Sequence, residues 1–148
     1  MAEDQSTFVT KLQLLFVAIF IAPLFLLLLT LIIESEAVTW FDQWPGAYGL
    51  EFGFLGLIVL SVGLSIFIRN FRHGRIGEIT DDLHIHKWVQ STQIICMALI
   101  EFSVLITIIG YMLLRQENLI FYALFGNFCQ FLYFPSAVKI NRYVNNQI

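Results

Sequence analysis

Residues 12–33, LQLLFVAIFIAPLFLLLLTLII, decide the fold class. The stretch holds no charged side chain and is long enough to cross a hydrocarbon core about 30 Å thick, which takes roughly 20 helical residues. Its amino-terminal flank, Ala2-Glu3-Asp4, is acidic. Its apolar core exceeds the roughly 7–15 residues of a signal peptide, so it reads as a retained span. Three further stretches follow at about 48–68, 94–114 and 119–138. The second and third each carry one carboxylate, Glu51 and Glu101, and the fourth carries no charge. A helix satisfies its own backbone in lipid, so each stretch predicts a transmembrane helix. None shows the polar–apolar alternation over about 10 residues that a membrane strand requires. The expected fold class is all-α: one domain, residues 1–148, forming a four-span bundle of two antiparallel hairpins.

Composition agrees. Of 148 residues, 58% are hydrophobic and 13% charged, against roughly 45–50% and 25% in soluble chains. A core of this size could not hide the excess from water. The net charge is −3, which leaves no basic groove for nucleic acid.

The basic residues set the orientation. Lys11 precedes span one, Arg69, Arg72, Arg75 and Lys87 lie in the loop read as residues 69–93, and Lys139 and Arg142 follow span four. With both termini cytoplasmic, only Arg115 lies outside, as the positive-inside rule favours. The chain thus reads as a multi-pass protein of the bacterial inner membrane. Trp40, Phe41, Trp44 and Pro45 place the first outer loop at the headgroup level. The turn Arg115-Gln116-Glu117-Asn118 is short enough to force spans three and four into a tight hairpin.

Glu101 is the main chemical signal. A carboxylate near the middle of a span costs roughly 2.5–3.5 kcal/mol even on the insertion scale, so function is the first hypothesis. It can load and release a proton or bind Na⁺, or it can serve only in packing. Antiparallel pairing puts Asn127 near its depth, with Gln130 one turn away; their spacing gives them one face. Ser103 is the third candidate partner, and Thr107, Ser61 and Ser65 are further polar groups within the spans. Intramembrane amides also serve as interhelical glue. Glu51, three residues into span two, reads as interfacial and wet.

Gly49, Gly53, Gly56 and Gly63 fall on one stripe of span two and mark a close-packing face, within the chain or between copies. Pro23 should kink span one or free a carbonyl; its Leu, Ile, Phe and Val otherwise suit a lipid-facing helix. Arg69, Arg72 and Arg75 read as contacts to anionic lipid headgroups. His73, His84 and His86 with Asp81 and Asp82 admit a metal only without support from any closed ligand spacing, so no metal is expected. Cys96 and Cys129 read as small apolar residues. No enzyme motif appears, and no cofactor is expected beyond H⁺ or Na⁺ and bound lipid.

Ala98-Leu99-Ile100-Glu101, followed by an apolar run, resembles the carboxylate helix of the rotary ATP synthase c subunit. In that family a small-residue helix, a cytoplasmic polar loop and a carboxylate helix form a hairpin, many copies make a ring, and the carboxylate carries H⁺ or Na⁺. Spans two and three have the same order, with the Gly-bearing helix first and Glu101 on the second. The dense Gly-x-Gly run and the compact loop of the c subunit are missing, Phe102 is bulky, and spans one and four are additions. The whole chain also resembles short four-span bacterial membrane proteins, through the Ala-Leu-Ile-Glu helix, the short turn, and the tail from Pro135 to Arg142. The small chain and its Gly stripe predict a homo-oligomer, and the c-subunit resemblance implies a ring with Glu101 as its proton or cation site, for which Asn127, Gln130 and Ser103 are the candidate partners. The competing expectations are an accessory subunit of a larger membrane complex and a small dimeric transporter.

Overall fold

The computed structural model describes residues 2–33, 47–75 and 82–135. The aromatic loop with Trp40, Phe41, Trp44 and Pro45, the residue Asp81, and Lys139 and Arg142 lie outside the described residues. Four α-helices appear: α1 (Ala2–Ile33), α2 (Ala47–His73), α3 (Asp82–Leu114) and α4 (Asn118–Cys129). A 3₁₀ turn, Gln130–Tyr133, continues α4. There is no strand among the described residues. Helices α1, α2 and α3 contain segments long and apolar enough to cross a membrane.

Two boundaries differ from the sequence reading. The loop expected at 69–93 is mostly helix, since α2 runs on to His73 and α3 begins at Asp82. The cause is a stripe at helical spacing: Ile85, Val89, Thr92 and Cys96 are all buried. The fourth span, expected to reach 138, stops being helical at Tyr133. Pro135 forces the residue before it out of the α region, and Phe134 has φ −55 and ψ 122. At 1.5 Å per α residue and 2.0 Å per 3₁₀ residue, α4 with its extension spans about 26 Å.

Helix α3 is the centre of the bundle and packs against α2, α4 and α1. Its core face carries Cys96, Met97, Ile100, Val104 and Ile108. The contacts fix the register. Ser65 and Cys96 exchange bonds, Ser65 Oγ donating to the Cys96 carbonyl at 3.1 Å and Cys96 Sγ to the Ser65 carbonyl at 3.3 Å. Phe54 meets Gly110 farther along, so α2 and α3 are antiparallel. Phe16 packs on Phe131 and Phe134, and Phe20 on Phe128, so α1 and α4 are antiparallel too. The four helices therefore alternate in direction. Gln13 Nε2 donates to the Pro135 carbonyl at 3.2 Å, bringing the start of α1 and the end of the 3₁₀ turn to one end.

Of the two hairpins expected from the sequence, the first connects spans one and two through residues that lie outside the described ones. Helix α1 lies on α3 and α4, and its contact with α2 is marginal at most. A narrow stripe, Leu12, Phe16, Pro23, Leu27 and Thr30, holds it there. The helix runs through Pro23 without interruption. Most of its large apolar side chains outside that stripe, such as Leu14, Phe25 and Ile32, are exposed, as a lipid-facing helix requires.

Candidate functional site

The two carboxylates of the spans exchange the roles expected of them. Glu101 follows Met97 by one turn and precedes Val104 and Ile108 on the same stripe of α3. Those three are buried. Glu101 itself is half-buried, at the edge of the packed face. It makes no hydrogen bond or ion pair among the described residues. Glu51 is only 8% exposed, and its Oε2 accepts from Asn118 Nδ2 at 2.8 Å. The interfacial, wet reading of Glu51 is therefore corrected: it ties the start of α2 to the α3–α4 turn. That turn is as tight as its length requires. Arg115 takes φ 55 and its N–H donates to the Tyr111 carbonyl at 2.9 Å.

The groups expected around Glu101 have other partners or none. Ser103 is buried and donates to the Ile100 carbonyl of its own helix at 2.7 Å, and Thr107 donates to Ser103 O at 2.8 Å. Asn127 and Gln130 share the buried face of α4 and its extension. Asn127 Nδ2 donates to the Phe20 carbonyl at 3.3 Å, while its Oδ1 has no partner. Gln130 is 0% exposed, and neither its Oε1 nor its Nε2 has a partner. The structure thus brings Asn127 and Gln130 to one side but joins neither to Glu101.

The glycine stripe of α2 faces outward. Gly49, Gly53, Gly56 and Gly63 are exposed, and a Cβ on any of them would meet nothing within 4 Å. The close packing inside the chain uses other glycines. A Cβ on Gly126 would lie 2.7 Å from Val104 Cγ2 and 3.3 Å from Ile58 Cγ2. One on Gly110 would run into the Phe54 ring.

At the other end of α2 the three arginines part company. Arg72 is committed to the chain: its guanidinium lies 4.0 Å from the centre of the Trp88 ring, and its Nη2 donates to Ser91 Oγ at 2.8 Å. Trp88 Nε1 returns a bond to the Arg72 carbonyl at 3.1 Å. This clamp closes the α2–α3 hairpin, and Arg72 is not a freely extended headgroup contact. Arg75 stacks at 4.6 Å over Phe71 on the outside. Arg69 lies 5.4 Å from the centre of the Tyr133 ring and has no hydrogen bond or ion pair among the described residues. It lines a small cavity of about 30 Å³ with His73, Thr92, Gln93, Cys96 and Tyr133. Tyr133 is 3% exposed, and its hydroxyl is buried without a hydrogen-bond partner, as is Gln93 Oε1. Burying such a group unsatisfied costs roughly 1–3 kcal/mol.

Sequence reading missed Tyr133, Gln93 and Thr92. The signal available was the three-residue spacing Asn127, Gln130, Tyr133, a polar stripe continuing past Gln130. His84 and His86 both fall within α3. Among the described residues no three His, Cys, Asp or Glu side chains gather as metal ligands. Both cysteines are free.

These features define a helical bundle with three helices long and apolar enough to cross a membrane, a polar cluster at each end of α2, and between them a carboxylate with no partner among the described residues. Set against protein-family models, curated proteins and solved structures, the chain matches none.

Proposed function

We propose that this chain is a self-assembling integral membrane protein whose Glu101 takes a proton or a cation at a seam between copies. The carrying observation is that Glu101 stands at the edge of the packed face of α3 with no partner among the described residues. A carboxylate at that depth is costly unless something completes its surroundings. A neighbouring copy would do so. The outward glycine stripe of α2 adds support, because small residues let helices approach closely and none of the four is used within the chain. This is the logic of the rotary c subunit, which spans two and three resemble. Ser103, Asn127 and Gln130 are not part of the reading, since none reaches Glu101. Both termini lie on the cytoplasmic side of a bacterial inner membrane, where the basic residues concentrate.

The chemistry is reversible loading of one carboxylate, with no covalent step. A small dimeric transporter fits less well, because α1 is unbroken at Pro23 and midplane transport sites use interrupted helices. The test is the melting temperature of the gently extracted protein across Na⁺ concentration and pH. A loaded site shifts it by mass action. The wild type should respond to Na⁺ or to pH, and Glu101→Gln should not. Equal behaviour of the two proteins overturns the reading.

A further inference from the structure

Arg69 is the shared wall of two recesses of opposite character. On one side is the small polar cavity with Gln93 and Tyr133. On the other is an open groove of about 560 Å³ lined by Phe125, Phe128, Cys129, Phe131 and Leu132. We propose that this junction is a binding site for one anionic phospholipid, its phosphate on Arg69 and Tyr133 and an acyl chain along the phenylalanine groove.

Three observations carry the proposal, and none involves Glu101. First, among the described residues the Arg69 guanidinium has no anion: no hydrogen bond or ion pair holds it, and no carboxylate lines either recess. Arginine presents a fork of donors that matches phosphate oxygens. Second, Tyr133 lines the polar cavity, and its buried hydroxyl has no hydrogen-bond partner among the described residues. A hydroxyl can donate to a phosphate oxygen, and the Gln93 amide beside it can donate as well. Third, the cavity has room for about two oxygen-sized atoms. A phosphate therefore enters by its oxygens, and the rest of the headgroup stays outside. Arg69 lies about one turn from the end of α2. A free anion would leave the groove unused; a neutral lipid would leave the arginine unneutralised. Arg72 and Arg75 do not contribute, because they serve Trp88 and Phe71.

The experiment is native mass spectrometry of the whole protein in a neutral detergent, with phosphatidylglycerol and phosphatidylcholine of identical chains as competing probes. One phosphatidylglycerol per chain should be retained, about tenfold more tightly than phosphatidylcholine. Arg69→Gln should weaken retention by about tenfold or more. Tyr133→Phe keeps the ring under Arg69 and should weaken it by a few-fold; it carries the test should Arg69→Gln fail to fold. Lys87→Gln, which removes an exposed charge at the same end, should change nothing. Equal retention of the two lipids, or retention unaffected by both variants, overturns the site. Displacement of the lipid by inorganic phosphate at matched concentration would show a free-anion site and overturn the lipid assignment.

Discussion

Glu51 and Glu101 sit on adjacent helices, and depth along the sequence ranks them in the wrong order. Glu101 lies near the middle of its span, yet it is half-exposed and unpartnered. Glu51 lies three residues into its span, yet it is buried and bonded to Asn118. Depth follows from counting residues at 1.5 Å each. Burial depends on which side of the helix a residue occupies and on what packs there. Glu101 falls just beyond the arc that α3 presents to its neighbours. Glu51 faces the turn that α3 and α4 make above it. The cost of a charge in lipid therefore says that Glu101 needs a partner, without saying that its own chain supplies one.

The sharpest way to break this comparison is to remove the partner of the buried carboxylate. Asn118→Ala strands Glu51 in the packed end of the bundle and should cost about 1–3 kcal/mol. Glu51→Gln keeps the size and one acceptor and should cost less. Reversible unfolding in mixed micelles checks both. Similar small losses for the two would mean that the Glu51–Asn118 bond is solvated and the contrast with Glu101 false.

A second, comparable effect separates inward from outward glycines. Gly126→Ala pushes a Cβ against Val104 and Ile58 and should destabilise the single chain by roughly 1–3 kcal/mol. Gly53→Ala meets nothing within 4 Å and should leave chain stability within about 0.5 kcal/mol. The same unfolding assay reads these, and Gly53→Leu should in addition weaken assembly. If Gly53→Leu leaves assembly intact, the glycine stripe is a lipid-facing surface and not a seam.

The smallest effect on the chain itself belongs to Glu101→Gln. Having no partner to lose, it should change single-chain stability by less than about 0.5 kcal/mol. A loss of 2 kcal/mol or more, on the scale of a buried polar network, would place Glu101 inside the fold.

The fold class was legible because apolar run length is a one-dimensional property. The four helices, the tight turn after Leu114 and the lipid-facing character of α1 all follow from it. What the sequence hid was azimuth. The stripe of Ile85, Val89, Thr92 and Cys96 was present in a segment whose charges read as loop, so the first three turns of α3 were missed. Gly110 and Gly126 stand alone in their helices, and only the opposing Phe54 and Ile58 reveal why they must be small. Arg69, Arg72 and Arg75 look equivalent at three-residue spacing. Trp88 and Ser91, sixteen and nineteen residues from Arg72, separate them. The polar stripe of α4 was half visible: Asn127 and Gln130 stood out as intramembrane amides, but Tyr133 joined them only when Pro135 fixed the end of the helix.

The central claim is that the partner Glu101 lacks is another copy of the chain. The native mass of the protein, extracted gently from its membrane, tests that most directly. A closed homo-oligomer is the predicted result. A monomer, or a fixed stoichiometry with other chains and no self-association, would contradict it.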